Sequence, residues 1–166
     1  ALLAVVPLLY LLAAIGPLLT GGSVEKRWRL ARVSAGAAAV ATLLSFTLLL
    51  VGDAGLFRGP VLVSLGEFGA LHLSLRSDAL GALMLVLVSF IGWVIVGYSQ
   101  PYLHGEHGQA RYIRGLMLTL AAVTLQVMTN NLMVLALAWI STSLALHSLL
   151  TFFNTRPQAL VAAHKK

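Results

Sequence analysis

Hydrophobic residues along the chain form four long uncharged stretches, and the charged side chains all lie in the segments between these stretches or after the last one. The stretches cover residues 1–24, 33–52, 79–105 and 115–155. Each is at or beyond the ~20 residues that an α-helix needs to cross a bilayer. The pattern therefore predicts an all-α polytopic membrane protein, and it argues against a soluble enzyme or a nucleic-acid-binding protein.

The last stretch is too long for one span, because a single helix would be ~60 Å long, about twice the hydrocarbon thickness. Thr129, Asn130 and Asn131 are consecutive polar residues and offer the natural break, with the asparagines capping a tight interhelical turn. Gln100-Pro101 is expected to end the third span. About five transmembrane helices follow, at about 1–20, 33–52, 79–98, 115–128 and 132–153.

The segment between the second and third spans has a different pattern. Leu71, Leu73 and Leu75 alternate with polar residues, and Gly66-Glu67-Phe68-Gly69 offers turn chemistry. Alternation of this kind is typical of a strand with one buried face. The sequence therefore predicts a small β-hairpin over about 60–77, on the external side of the membrane.

The two ends of the sequence suggest the N-terminal part of a larger subunit. The chain does not begin with methionine, and Arg156-Pro157 is typical of the start of a surface helix. We expect that helix to cover about 157–166, on the cytoplasmic side. Residues 1–166 are then a single membrane domain fragment.

Composition and charge give an orientation. The sequence is 59% hydrophobic and 10% charged, with a net charge of +6 and no cysteine, so disulfides and thiolate chemistry are excluded. Nine of the 11 basic residues fall on one predicted side: Lys26, Arg27, Arg29, Arg32, Arg111, Arg114, Arg156, Lys165 and Lys166. The positive-inside rule places that side in the cytoplasm. The N-terminus is therefore predicted outside and residue 166 inside.

His147 is the clearest polar candidate inside a span, because ionisable groups in the bilayer are costly and mark function by default. Ser141, Thr142 and Ser143 precede it, and Ser143 shares its helix face. Histidine titrates near neutral pH, so these side chains are candidates for a proton path. The alternative is a neutral histidine that hydrogen-bonds a neighbouring helix.

Other polar groups have a structural and a functional interpretation. Asp78 is either the N-cap of the third span or an acidic group at the mouth of an ion path. Arg111, Arg114 and Arg156 are candidates for contact with a partner or with lipid, although arginines there also fix topology. His104-Gly105-Glu106-His107 supplies too few ligands for zinc. No metal site, cofactor site or catalytic motif is predicted, so the chain is not expected to be an enzyme on its own.

Three ordered groups of residues carry a family resemblance over about residues 60–153. They are Ser77-Asp78-Ala79-Leu80-Gly81-Ala82-Leu83-Met84, Tyr102 to Tyr112, and Asn130-Asn131-Leu132 with Ala138-Trp139. They resemble the N-terminal third of the antiporter-like membrane subunits. That family includes the proton-translocating chain L or 5 of NADH:quinone oxidoreductase and subunits of multisubunit sodium/proton antiporters. The resemblance also implies the hairpin.

One departure indicates a branch of the family. Respiratory and antiporter members carry a proton-handling glutamate directly after the span-five tryptophan, whereas Ile140 follows Trp139 here. His147 and the ending from Ser148 to Pro157 look like the DabB family, the membrane subunits of bacterial inorganic-carbon accumulation complexes. Such a subunit pairs with a large cytoplasmic, zinc-containing, carbonic-anhydrase-like subunit.

The resemblance implies a bacterial inner-membrane subunit in which a cation gradient, of protons or sodium ions, drives the accumulation of CO2 as bicarbonate. Zinc is then expected in the partner and no cofactor in this chain. Two alternatives stay open. One is a proton-translocating subunit of an NADH:quinone oxidoreductase or antiporter complex, and the other is a non-transporting membrane anchor for a cytoplasmic enzyme.

Overall fold

The computed structural model describes residues 5–20, 23–51, 55–64, 70–105 and 108–151. Within these ranges the chain forms five α-helices and two β-strands. The helices are α1 (Val5–Thr20), α2 (Val24–Val51), α3 (Ala79–Tyr102), α4 (Gln109–Met128) and α5 (Leu132–Leu150). The strands are β1 (Gly55–Ser64) and β2 (Ala70–Ser77). The predicted surface helix at 157–166 lies outside the described residues.

The predicted breaks between helices are confirmed where polar residues cap them. Asn131 is the N-cap of α5, and its Oδ1 accepts hydrogen bonds from the backbone N–H groups of Met133, at 2.9 Å, and Val134, at 3.4 Å. Asp78 is the N-cap of α3 and accepts from Gly81 N at 3.0 Å. Both caps satisfy donors that the first turn of a helix leaves without intrahelical partners.

Three helices extend beyond the predicted spans. Helix α2 begins at Val24 rather than 33, and α4 begins at Gln109 rather than 115. The prediction started each span where the charges end, but a helix continues into the headgroup region because long basic side chains reach water from there. Helix α3 continues through Pro101 to Tyr102. Proline removes one N–H donor, and in a last turn that loss does not end the helix.

The two strands pair antiparallel in the segment that links α2 to α3, with Gly55 opposite Ser77 and Ser64 opposite Ala70. Strand β1 therefore begins earlier than the sequence pattern indicated. Leu75 is buried beside Leu85 and Met128, and its backbone forms an isolated bridge with Thr129. These contacts hold β2 against the junction between α4 and α5.

Helix α4 lies at the centre of the described bundle and packs against α1, α2, α3 and α5. It has more buried residues than any other described helix. Two glycines allow its close approach to its neighbours. A Cβ at Gly92 of α3 would lie 2.8 Å from Cδ2 of Leu120, and a Cβ at Gly115 of α4 would lie 2.8 Å from Cδ1 of Leu149.

The outer surface of the bundle is apolar. Within the described residues, α2, α3 and α5 are long and apolar enough to cross a membrane, and α1 contains a shorter apolar stretch. Large hydrophobic side chains such as Leu48, Leu80 and Leu144 are more than half exposed. In water this surface would drive aggregation, whereas in a bilayer it contacts lipid tails at no cost. The fold is therefore that of a helical membrane protein.

The substitution Gly92→Ala is expected to lower the stability of the protein. The added methyl group would overlap Leu120, and overpacking of a buried contact costs about 1–3 kcal/mol. The midpoint of denaturation in detergent, followed by circular dichroism, measures the effect.

Gly97→Ala is the matched control, since a Cβ at that position meets nothing within 4 Å and lies in the same helix. Both substitutions replace glycine by alanine in the same helix and gain the same helix propensity. The difference between their denaturation midpoints therefore isolates the contact with Leu120. Equal midpoints for the two variants would show that the packing of α3 on α4 is not tight.

Candidate functional site

Helix α5 is anchored along one side only. Its buried residues are Val134 and Ala138, and it packs mainly against α4. Trp139 and Ile140 are more than half exposed, as is Leu144. The side of α5 away from α4 is therefore open within the described part of the chain.

His147 lies on this open side, in the last turn of α5, and its side chain is exposed, as is that of Ser143. The hydroxyls of Ser141 and Thr142 each donate, at 2.8 Å, to a backbone oxygen of their own helix, on Leu137 and Ala138 respectively. No hydrogen bond joins Ser143 to His147 within the residues the structure describes. The relay predicted from their spacing is thus not formed inside α5, and its role stays a prediction.

Asp78 lies apart from His147, at the opposite end of the bundle. The side chain is half-buried and caps α3, which confirms the structural interpretation of this residue. Asp78 as the mouth of an ion path stays a prediction.

Arg111 and Arg114 lie in the first two turns of α4, the first exposed and the second half-buried. They share the end of the bundle with the basic first turns of α2. Arg156 falls outside the described residues. The two described arginines are at the same end of the bundle as His147, since Gly115 of α4 packs against Leu149 of α5. Contact of these arginines with lipid phosphates or a partner stays a prediction.

A second group of polar side chains, which the sequence patterns did not reveal, lies in the interior. Tyr10 of α1 and Ser89 of α3 are fully buried with their hydroxyls in weak contact with each other, and neither forms a hydrogen bond of normal geometry among the described residues. The Ser45 hydroxyl of α2 likewise forms none there. Buried polar groups of this kind cost about 1–3 kcal/mol each. In the sequence, each of these residues is a single hydroxyl within an apolar stretch, and no pattern there indicates that it would be buried.

Two hydrogen bonds between distant parts of the chain join the helices at the end opposite Asp78. The Trp28 indole Nε1 donates to Gln109 Oε1 at 2.9 Å, and the hydroxyls of Ser99 and Tyr112 are 3.0 Å apart. Between them they connect α2 and α3 to the start of α4. Interhelical hydrogen bonds in membrane proteins contribute about 0.6–2 kcal/mol each.

Comparison with known proteins adds the evidence that geometry alone does not supply. Residues 63–113 match the family described as NADH-ubiquinone oxidoreductase (complex I), chain 5 N-terminus. The chain is 42% identical over 118 residues, or 68% of its length, to the "Probable inorganic carbon transporter subunit DabB" of Hydrogenovibrio crunogenus. The chain belongs to the antiporter-like membrane subunit family.

Other relatives come from both branches of this antiporter-like family. "Probable inorganic carbon transporter subunit DabB2" of Halothiobacillus neapolitanus is 36% identical over 99% of the chain. "NADH-quinone oxidoreductase subunit L" of Escherichia coli is 31% identical over 62% of the chain and 17% of its own length. The chain spans 23% and 30% of the lengths of the two inorganic-carbon relatives. The resemblance predicted from the residues is thereby confirmed.

Tyr10→Phe is expected to leave the antiporter-like chain as stable as before or to stabilise it by about 1 kcal/mol, because it keeps the ring and removes a buried hydroxyl whose contact with Ser89 lies outside normal hydrogen-bond geometry. Reversible unfolding in mixed detergent micelles measures the difference in the free energy of unfolding.

Tyr112→Phe is the matched control. Its hydroxyl is bonded to Ser99, so the same change is expected to destabilise the protein by about 1 kcal/mol. If Tyr10→Phe instead destabilised the protein as much as Tyr112→Phe does, the Tyr10 hydroxyl would have a partner and the assignment above would be wrong.

Proposed function

We propose that this chain is part of the membrane subunit of a cation-coupled inorganic-carbon accumulation complex, with the proton as the coupling ion. The observation that carries the proposal is the 36% identity to an inorganic carbon transporter subunit over 99% of the chain. The residue after Trp139 supports the inorganic-carbon branch as well. Respiratory and antiporter members carry a glutamate there, whereas this chain has Ile140, which cannot titrate.

In this proposal the chain supplies energy rather than catalysis. Movement of cations down their gradient would drive a cytoplasmic, zinc-containing, carbonic-anhydrase-like partner to hydrate CO2 in one direction. The zinc would belong to the partner, and this chain would hold no cofactor. The candidates for contact with this partner are Arg111, Arg114 and Arg156.

The open side of α5 supports a role for His147. An ionisable side chain in a span is expensive when it faces lipid, and such groups almost always face protein or a water-filled cavity. The exposure of His147 and Ser143 in the described part of the chain therefore favours contact with further membrane helices of the complex. His147, Ser143, Thr142 and Ser141 would then contribute to a proton path at that contact.

The proposed topology follows from the charges. The end of the bundle with the basic residues of α2 and α4 faces the cytoplasm, and the paired strands β1 and β2 face outward. The membrane in this proposal is the bacterial inner membrane. The N-terminus lies outside and residue 166 lies in the cytoplasm.

The match to a complex I chain 5 family supports one alternative, in which the chain belongs to a proton-translocating subunit of a quinone-linked complex. Purification of the full-length protein in mild detergent, with mass spectrometry and a zinc assay, separates the two functions. We expect a large soluble partner carrying zinc. Co-purification of respiratory subunits without zinc would contradict the proposal and favour the alternative.

His147→Ala in the complete complex is expected to reduce inorganic-carbon uptake by about tenfold or more, because positioned proton-transfer groups contribute ~10²–10⁴-fold in rate. His147→Gln tests the chemistry further, since glutamine keeps hydrogen bonding but cannot titrate. Uptake of labelled bicarbonate by cells that depend on the complex provides the measurement.

Leu144→Ala is the control, as it trims an exposed apolar side chain one turn away on α5. It should leave uptake unchanged. Full activity in His147→Gln would mean that His147 is only a hydrogen-bonding residue. Full activity in His147→Ala as well would favour the membrane-anchor alternative for this part of the chain.

A further inference from the structure

The outer groove between α2 and α3 has a fixed register near the basic end of the bundle. A Cβ at Gly36 of α2 would lie 3.7 Å from Nε1 of Trp93 in α3, so the indole of Trp93 lies beside Gly36. The two packed helices run in opposite directions, because the paired strands β1 and β2 join the end of α2 to the start of α3. One turn from this contact toward the basic end, Arg32 of α2 is therefore level with Gly97 of α3.

Two hydrogen-bond donors on this groove are exposed and unpaired. The Arg32 side chain is exposed, and Trp93 is about half exposed. In the part of the chain that the structure describes, neither the Arg32 guanidinium nor the Trp93 indole N–H has a hydrogen-bond or ion-pair partner. Donors on the lipid-facing surface are costly unless something there supplies an acceptor. The groove therefore favours a ligand that brings two acceptors at two depths.

The groove has open space beside Arg32 and an apolar wall beyond it. A Cβ at Gly97 would meet nothing within 4 Å. Farther from the basic end, Phe90 is more than half exposed and lies against Trp93, with ring centroids 6.5 Å apart. A charged group at one end, an opening next to it and exposed aromatic rings beyond match the order of headgroup, glycerol and acyl chain in a phospholipid.

The depth of the two donors fits the same ligand. Arg32 is the last charged residue of α2, because residues 33–52 are uncharged. Tyr98, next to Gly97, is exposed, and exposed tyrosines on a membrane protein lie at the level of the lipid headgroups. Trp93 lies about one turn deeper than Arg32. In a glycerophospholipid the ester carbonyls lie deeper than the phosphate, so the phosphate can meet Arg32 while an ester carbonyl accepts from Trp93.

The local charge selects among phospholipids. Lys26, Arg29 and Arg32 are exposed on the first turns of α2. Among the described residues of this helix Glu25 is the single carboxylate, and it contacts Arg29 at 3.8 Å. The surplus is therefore positive, and basic side chains at the membrane surface attract anionic lipids. A headgroup that carries its own ammonium would bring a second positive charge to this surface.

We propose that the groove between α2 and α3 binds an anionic phospholipid of the phosphatidylglycerol type. The Arg32 guanidinium donates to the phosphate, which suits its planar fork of N–H groups. The Trp93 indole donates to an ester carbonyl, the glycerol lies in the opening at Gly97, and an acyl chain lies along Phe90. The site does not depend on the coupling function proposed above.

The test uses the full-length protein, delipidated and reconstituted into phosphatidylcholine nanodiscs that contain phosphatidylglycerol. Native mass spectrometry measures the lipids that each protein retains. Arg32→Gln is expected to weaken the binding of one phosphatidylglycerol molecule per protein about tenfold, because it removes charge-assisted hydrogen bonds to the phosphate. Trp93→Phe, which loses a neutral hydrogen bond, is expected to weaken the same molecule about fivefold. With phosphatidylethanolamine in place of phosphatidylglycerol, the wild-type protein and both variants should retain equal amounts.

Lys26→Gln and Trp139→Phe are the matched controls. Lys26 is an exposed cation of the same helix, about 120° around it from Arg32, and Trp139 is an exposed indole on α5. Both variants should keep the affinity for phosphatidylglycerol within about twofold, since exposed charges and rings without direct contact contribute little.

The proposal fails if Arg32→Gln binds phosphatidylglycerol as tightly as Lys26→Gln does. Unchanged binding in Trp93→Phe would also overturn it, because a free phosphate ion or an acidic protein at Arg32 has no need of the indole. A photoreactive residue at position 97, where a Cβ has room, is expected to crosslink to lipid. Crosslinking to protein instead would show that another helix covers the groove, and would contradict the proposal.

Discussion

The close approach of α4 to its neighbours is the constraint on which the rest of the described bundle depends. Leu120 of α4 packs against Gly92 of α3, and Leu149 of α5 packs against Gly115 of α4. Apolar side chains gain nothing by leaving lipid for protein, so helices in a membrane associate through close packing and hydrogen bonds. A glycine facing a leucine is therefore the main means by which this chain can join its third, fourth and fifth helices.

Polar contacts are concentrated at the two ends of the bundle. The caps at Asp78 and Asn131 satisfy first-turn donors at one end, and the Trp28–Gln109 and Ser99–Tyr112 bonds join helices at the other. Between the ends, most threonine hydroxyls bond to their own backbone, as Thr42 and Thr124 do. The hydroxyls of Tyr10, Ser45 and Ser89 are exceptions, since none of them forms a hydrogen bond of normal geometry among the described residues. The interior is thus held by packing, and its ends by hydrogen bonds.

The two faces of α5 have different roles. Val134 and Ala138 are buried toward α4, while Trp139, Ile140 and His147 point away from the described bundle. The chain covers less than a third of the length of its inorganic-carbon relatives, and contact of this open side with further membrane helices is part of the proposed function. The functional chemistry proposed for His147 therefore depends on a contact that the described residues do not complete by themselves.

The sequence alone determined the class of fold, the five helices found in the described ranges and the breaks at Asp78 and Asn131. Each of these follows from a local rule. The length of an uncharged stretch decides whether it can cross the membrane, and a side-chain oxygen just before a helix caps the first turn of that helix. It also determined the family, because the motifs from Ser77 to Trp139 occur in order. It did not show that α2 and α4 begin before the predicted spans, because charge marks the edge of the hydrocarbon region but does not end a helix.

Only the tertiary structure decided which polar residues meet. Gln109 is 81 residues from Trp28, and nothing in either neighbourhood of the sequence indicates their bond. Ser143 and His147 share a helix face as predicted, yet sharing a face did not bring their side chains together. Spacing along a helix fixes the direction of a side chain, whereas its partner is fixed by the helix that packs there. For His147, no described helix packs against its exposed side, and no local pattern in the sequence indicates a partner.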